Sequence, residues 1–164
     1  MASLSFGQVG LGDDGAEALA DVIWHAPKLT EVVLEHCEFG CVGLAALAEA
    51  IAASTRLRAL TVKACTLEEA DLVCLLQGVR RSRSLRELAL GFSPIGVHEA
   101  GAEALGDVVR MVQLERLGLD FTNLGYCGIQ SLAQGLACSK TLTDLSLKGN
   151  HFGDGSAATL AEAV

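Results

Sequence analysis

Aromatic side chains are scarce in this chain: five Phe, one Tyr and one Trp among 164 residues, or 4%. Proline is scarcer, with two residues. The apolar weight therefore falls on Leu, Ala and Val, and so little proline suits packed helices joined by regular turns. Long apolar runs are lacking too. The longest mild stretch, Cys41 to Ser54, is too short to span a bilayer and contains Glu49. Basic charge is in deficit, with 12 Lys and Arg against 20 Asp and Glu, for a net charge of -8. This balance argues against nucleic acid or an anionic membrane surface as the main partner. The first residues show no basic region followed by an apolar stretch, and Asp13 and Asp14 interrupt them early. No Asn-x-Ser/Thr sequon occurs, and the six Cys lack the spacing of a disulfide framework. A cytoplasmic, reducing setting (cytosol or nucleus) with no disulfides is the expectation. Disorder is excluded by the 51% apolar and 20% charged composition. The length favours one domain over 1–164.

What the chain does have is internal repetition. The segments MASLSFGQVGLG, LTEVVLEHCEFG, LRALTVKACTLE, LRELALGFSPIG, LERLGLDFTNLG and LTDLSLKGNHFG begin at Met1, Leu29, Leu57, Leu85, Leu114 and Leu142. The fourth-position column is Leu4, Val32, Leu60, Leu88, Leu117 and Leu145, and the sixth is Phe6, Leu34, Val62, Leu90, Leu119 and Leu147. The first and eleventh positions and two positions further on are apolar in every repeat as well. The only irregularities are a two-residue insertion within Gly96 to Gly101 and a one-residue deletion after Val109. Alternation of period two predicts strands over 2–7, 30–35, 58–63, 86–91, 115–120 and 143–148. Apolar residues three and four apart predict helices over 13–25, 41–53, 69–81, 98–111, 126–138 and 154–164. Gly-x-x-Gly turns at Gly12, Gly40 and Gly125 join the two.

The stretch LTEVVLEHCEFGCVGLAALAEAI resembles the repeat of leucine-rich repeat proteins, in particular their ribonuclease-inhibitor-like subfamily. NOD-like receptors, ribonuclease inhibitor and the Ran GTPase-activating protein carry similar repeats. The resemblance implies an α/β solenoid of six repeats, with a parallel sheet on a concave face and helices on a convex one. It also implies that the polar side chains of the ninth column (Val9, Cys37, Cys65, Ser93, Thr122, Asn150), all but the valine, can donate inward to backbone carbonyls. Neither end carries a polar capping unit, so the chain reads as a piece of a longer array, or as one that self-associates through its ends.

Other motifs have structural readings beside their functional ones. Gly10-x-Gly12-x-x-Gly15 matches a dinucleotide-binding string, but it is the repeat turn, and Asp13 and Asp14 would repel phosphate. His36, Cys37 and Cys41 lie close in sequence, yet no second pair has metal-ligand spacing, so no metal and no cofactor is expected. Acids gather where helices should start and bases where they should end, which suits the helix dipole. Within that pattern Arg80, Arg81, Arg83 and Arg86 are dense enough to form a basic edge for an acidic or phosphorylated partner. No catalytic constellation is present, and a non-enzymatic role is expected.

The strand positions that face away from the helices vary from repeat to repeat, as a protein-binding surface requires. Phe92 and Phe121 share the eighth position of consecutive repeats. Either they form an exposed aromatic patch or both rings pack under the following loop. In the first case Asp120, Arg116 and Glu87 would form the polar rim, with His36 and Glu35 two repeats away. A protein-interaction scaffold is the leading expectation, the sensing part of a receptor-like protein among its forms. A Ran-type GTPase activator is the alternative.

Overall fold

Each repeat contains a short strand that buries every second residue and a helix that buries one stripe. Neither can be covered within its own repeat, so repeats stack. The computed structural model describes residues 2–92 and 99–163. Met1, Ser93, Ile95, Gly96, His98 and Val164, which the repeat alignment uses, lie outside those residues. The elements alternate as β1 (Ala2–Gly7), α1 (Gly12–His25), β2 (Leu29–Glu35), α2 (Cys41–Ala53), β3 (Ala59–Lys63), α3 (Glu69–Arg81), β4 (Glu87–Gly91), α4 (Glu99–Met111), β5 (Arg116–Gly118), α5 (Tyr126–Leu136), β6 (Asp144–Ser146) and α6 (Asp154–Ala163). The strands form one parallel sheet in the order β1-β2-β3-β4-β5-β6. Crossovers between neighbouring parallel strands take the right hand, which puts α1 to α5 on one face of the sheet and leaves the other face open.

The register follows the repeat. Leu4, Val32, Leu60, Leu88, Leu117 and Leu145 stand opposite one another across the whole sheet. In the inner repeats this column and its helical counterparts Leu47, Leu75, Leu105 and Leu132 are buried. Each such side chain contributes roughly 1.5–3 kcal/mol of burial. In the first and last repeats Leu4, Phe6, Leu145, Leu147 and Leu160 are only half-buried, because each packs against one neighbour instead of two.

β3 and β4 start one residue later than the repeat pattern predicts, and two further strands are shorter by half. Residues 115–120 and 143–148 were expected, and Arg116–Gly118 and Asp144–Ser146 are found. Side chains take over from the backbone ladder there. The Asp120 carboxylate accepts the Lys148 N–H at 3.0 Å. The Leu119 carbonyl accepts from Asn150 Nδ2 at 2.6 Å and from Thr122 Oγ1 at 2.9 Å.

Among the described residues of the ninth column, Cys37, Cys65, Thr122 and Asn150 serve this same satisfying role, while Val9 has no donor. Cys37 Sγ donates to the carbonyls of Phe6 and Glu35, at 3.7 and 3.5 Å. Cys65 Sγ donates to those of Leu34 and Lys63, at 3.6 and 3.4 Å. Burial pushes the Cys65 thiol up to about 11. Cys41, Cys127 and Cys138 are exposed, and none of the six cysteines is joined in a disulfide. In the native protein at pH 8, iodoacetamide should label Cys127 and Cys138 first and Cys65 at least about 100-fold more slowly, since the thiolate is the nucleophile. The unreduced protein should take up six labels after unfolding, counted by mass. Equal rates for Cys65 and Cys127, or fewer than six labels, would contradict this arrangement.

Candidate functional site

The chain turns sharply at the end of each strand, and the eighth repeat position sits on that turn. Gln8, His36, Ala64, Phe92, Phe121 and Gly149 all hold positive φ, between 51° and 69°. Each of the first five still donates its N–H to the carbonyl of the seventh residue of the next repeat. These bonds run from Gln8 to Glu35, His36 to Lys63, Ala64 to Gly91, Phe92 to Asp120 and Phe121 to Lys148, at 2.8–3.1 Å. The column is therefore an extra rung of the sheet, held at strand spacing. The left-handed backbone is a property of the turn, since Gln, His and Ala adopt it too. Phenylalanine gains nothing there locally; a bulky residue costs roughly 1–2 kcal/mol relative to glycine.

The two phenylalanine rings stack on each other. Their centroids are 4.7 Å apart and their planes differ by 11°. Phe92 is 58% exposed and Phe121 52%, so neither ring is buried. Gly149 provides the seat of the stack. A Cβ added at Gly149 would lie 2.3 Å from the Phe121 ring, so only glycine leaves room for that ring.

The rim residues are spread over the neighbouring strands. Asp120 is pinned, accepting from Ser146 Oγ at 2.5 Å as well as from Lys148. Arg116 and Glu87 are register partners on β5 and β4 and form an ion pair with each other. The hydrogen bond that Arg116 donates to Glu87 holds the guanidinium's pKa above its usual range. This pair lies in a shallow depression of about 240 Å3 on the open face, which Glu31, Thr61, Asp144 and Ser146 also line. His36 and Glu35 are exposed in the same two columns, two repeats from Phe92. His36, Cys37 and Cys41 do not converge: Cys37 is buried and bonded to carbonyls, while His36 and Cys41 are exposed.

The four arginines of the sequence-derived basic edge do not form one free cluster. Arg80 reaches from α3 to Asp107 of α4 at 2.8 Å. Arg81 reaches from α3 to Glu49 of α2 at 2.6 Å, which holds the Glu49 carboxyl below its usual range. Arg86 donates to the Leu85 carbonyl at 2.7 Å and lies 3.9 Å from Glu115. Arg83 is exposed. Opposite charges on adjacent helices explain the difference: the repeat step places them side by side, and sequence distance hides it. The exposed pairs themselves contribute little stability.

Sequence reasoning missed the uniform left-handed column. Only Gly149 and, more weakly, His36 hint at it, because Gln8, Ala64, Phe92 and Phe121 are not residues that announce positive φ.

Among the described residues no helix is long and apolar enough to cross a membrane. A family model described as Leucine Rich repeat matches residues 25–48 and 138–161. No curated protein matches the chain. The matched segments run from the end of α1 into α2 and from beyond α5 into α6, and between them the sheet keeps one register at the repeat step. The chain folds as a leucine-rich repeat solenoid.

Proposed function

We propose that this chain is a non-catalytic, cytoplasmic scaffold that binds a partner protein through the open face of its sheet and the adjoining turns. The observation that carries this is the exposed Phe92–Phe121 stack. Two large rings stand in solvent on backbone that disfavours them, seated on a glycine that makes room. Folding does not require this arrangement, since Ala64 and Gly149 occupy the same column without rings. Exposed aromatic anchors surrounded by a polar rim are typical of binding hot spots. Leucine-rich repeat domains in general mediate protein–protein interaction. A role as the sensing part of a receptor-like protein is compatible with such a surface. The GTPase-activator reading finds less support, because Arg80 and Arg81 are held by Asp107 and Glu49.

The double variant Phe92→Ala, Phe121→Ala tests the proposal. Wild-type chain and variant are immobilised in parallel, and partners are recovered from native extract and quantified. Retention of the wild-type partner should fall at least about tenfold, the loss of roughly 2 kcal/mol expected of an anchor. The melting temperature should move by no more than about 3 °C, because exposed rings contribute little to the core. Undiminished retention would refute the proposal. So would a large fall in melting temperature that accounts for the lost binding.

A further inference from the structure

The eighth-position column is a ladder with one rung missing. Phe121 and Phe92 occupy consecutive repeats, Ala64 the next, and His36 the one after. All four share nearly the same backbone conformation, with φ between 51° and 56°, so their Cβ atoms leave the turn in the same direction. All four N–H groups make the same bond to the next strand. Strand spacing is about 4.8 Å, so His36 and Phe92 stand about 9.6 Å apart across the alanine. Stacked surfaces need about 3.5–4 Å on each side. By this spacing, a slot above Ala64 is one planar group thick. The Phe92–Phe121 separation of 4.7 Å shows that this column supports stacking at that repeat distance.

We propose that this slot takes an arginine side chain of the partner protein, its guanidinium plane stacked on Phe92 and flanked by His36. The proposal rests on the docking function above and names the chemistry of the docked group. Charge selects arginine over an aromatic ring. Glu35 precedes His36 and Glu38 follows it by two residues; both are exposed, and neither forms an ion pair among the described residues. Lys63, the register partner of Glu35, makes no ion pair with it among the described residues, and its stem leans toward β4, with Cγ and Cδ 3.3 and 3.7 Å from where a Cβ at Gly91 would stand. The whole chain carries a net charge of -8, which favours approach of a basic segment. A guanidinium over a phenylalanine face combines stacking with cation–π attraction, and its edge keeps donors for the two carboxylates.

The probe is the tripeptide acetyl-Gly-Arg-Gly-amide, titrated into the full chain and followed by NMR. Its lysine and tryptophan counterparts serve as comparisons. The arginine peptide should bind weakly but saturably, shift the Ala64 methyl and the His36 and Phe92 ring signals, and move its own δ-protons upfield through the ring current. Ala64→Phe fills the slot and should weaken this binding at least about tenfold. It should fold, because phenylalanine already occupies the same conformation in the next two repeats. Glu35→Gln with Glu38→Gln leaves the slot open and should weaken the arginine peptide at least about threefold, with the tryptophan peptide unaffected. Equal shifts from the lysine peptide would mean simple charge attraction and overturn the proposal. Tighter binding of the tryptophan peptide would make the slot an aromatic one and also overturn it, as would unchanged arginine binding to Ala64→Phe. The docking function fails separately: it falls if the Phe92, Phe121 double variant keeps its partner. It survives if that variant loses the partner while the arginine peptide ignores the slot.

Discussion

Gly78→Ala should destabilise the protein by about 2–3 kcal/mol, the opposite of what the substitution does in an ordinary helix. Replacing a mid-helix glycine by alanine normally stabilises by up to about 1 kcal/mol, because alanine loses less backbone freedom on folding. Gly78 lies within α3, buried against α2. A Cβ there would come within 2.4 Å of the Ala48 carbonyl oxygen and 2.7 Å of the Ala48 carbonyl carbon and Cα. These are backbone atoms of a helix and cannot swing aside, so α2 and α3 would have to part. Parting them opens gaps around Leu47, Leu75 and Leu76, which are among the most buried side chains of the core. The melting temperature should fall by roughly 5–10 °C in thermal unfolding followed by circular dichroism. Gly155, in α6, is the internal control: nothing lies within 4 Å of its added Cβ. Gly155→Ala should leave the melting temperature unchanged or raise it slightly. If Gly78→Ala behaved like Gly155→Ala, close helix approach would not be what glycine secures at position 78.

Asn150→Ala should cost about 2–4 kcal/mol, although the side chain is only half-buried. Its Oδ1 accepts from the Thr122 N–H at 3.1 Å and the Leu124 N–H at 3.0 Å. Its Nδ2 donates to the carbonyls of Leu119 and Leu147. One amide thus satisfies backbone groups of two repeats, next to Thr122, Leu119 and Leu124, which are fully buried. Removing it strands two buried N–H groups that have no other partner in the turn. Asn150→Thr would restore a donor for a carbonyl, as Thr122 does for Leu119, but it has no carbonyl oxygen reaching back to two N–H groups. It should recover less than half of the loss. Hydrogen exchange at the Thr122 and Leu124 amides gives the sharpest measurement: both should exchange faster in Asn150→Ala, while amides of β2 and β3 remain protected. Unchanged protection at Thr122 would show that the amide is dispensable.

Strand register, the choice of buried columns and the helix spans were readable because a single requirement governs them. A repeat that cannot bury its own face must match its neighbour, so apolar residues recur at one step and the pairing Val32–Leu60–Leu88–Leu117 follows from counting. The ninth column was readable through the resemblance to leucine-rich repeats, which implies inward donors at that position. Cys37, Cys65, Thr122 and Asn150 all donate as that pattern suggests. The candidate site was half readable. That Phe92 and Phe121 neighbour each other follows from the period. Whether the rings face solvent or fold inward depends on the positive φ of the turn, which neither residue type announces.

What the amino-acid sequence determined by itself is everything that depends on periodicity: six strand–helix units, their order, their registration and the side chains between them. Tertiary structure alone decided what depends on distances between repeats. It paired Arg80 with Asp107 and Arg81 with Glu49, removing most of a basic edge that looked continuous along the chain. It let Asp120 and Asn150 take the place of backbone rungs, so that β5 and β6 end early. It also brought Gly78 against a carbonyl and Gly149 against a ring that lie about 30 residues away in sequence. The physical reason is the same in each case. Burial of apolar residues is non-directional and needs only the right residue type at the right interval. Hydrogen bonds, ion pairs and close contacts need atoms at particular distances, and those distances exist only once the repeats are stacked.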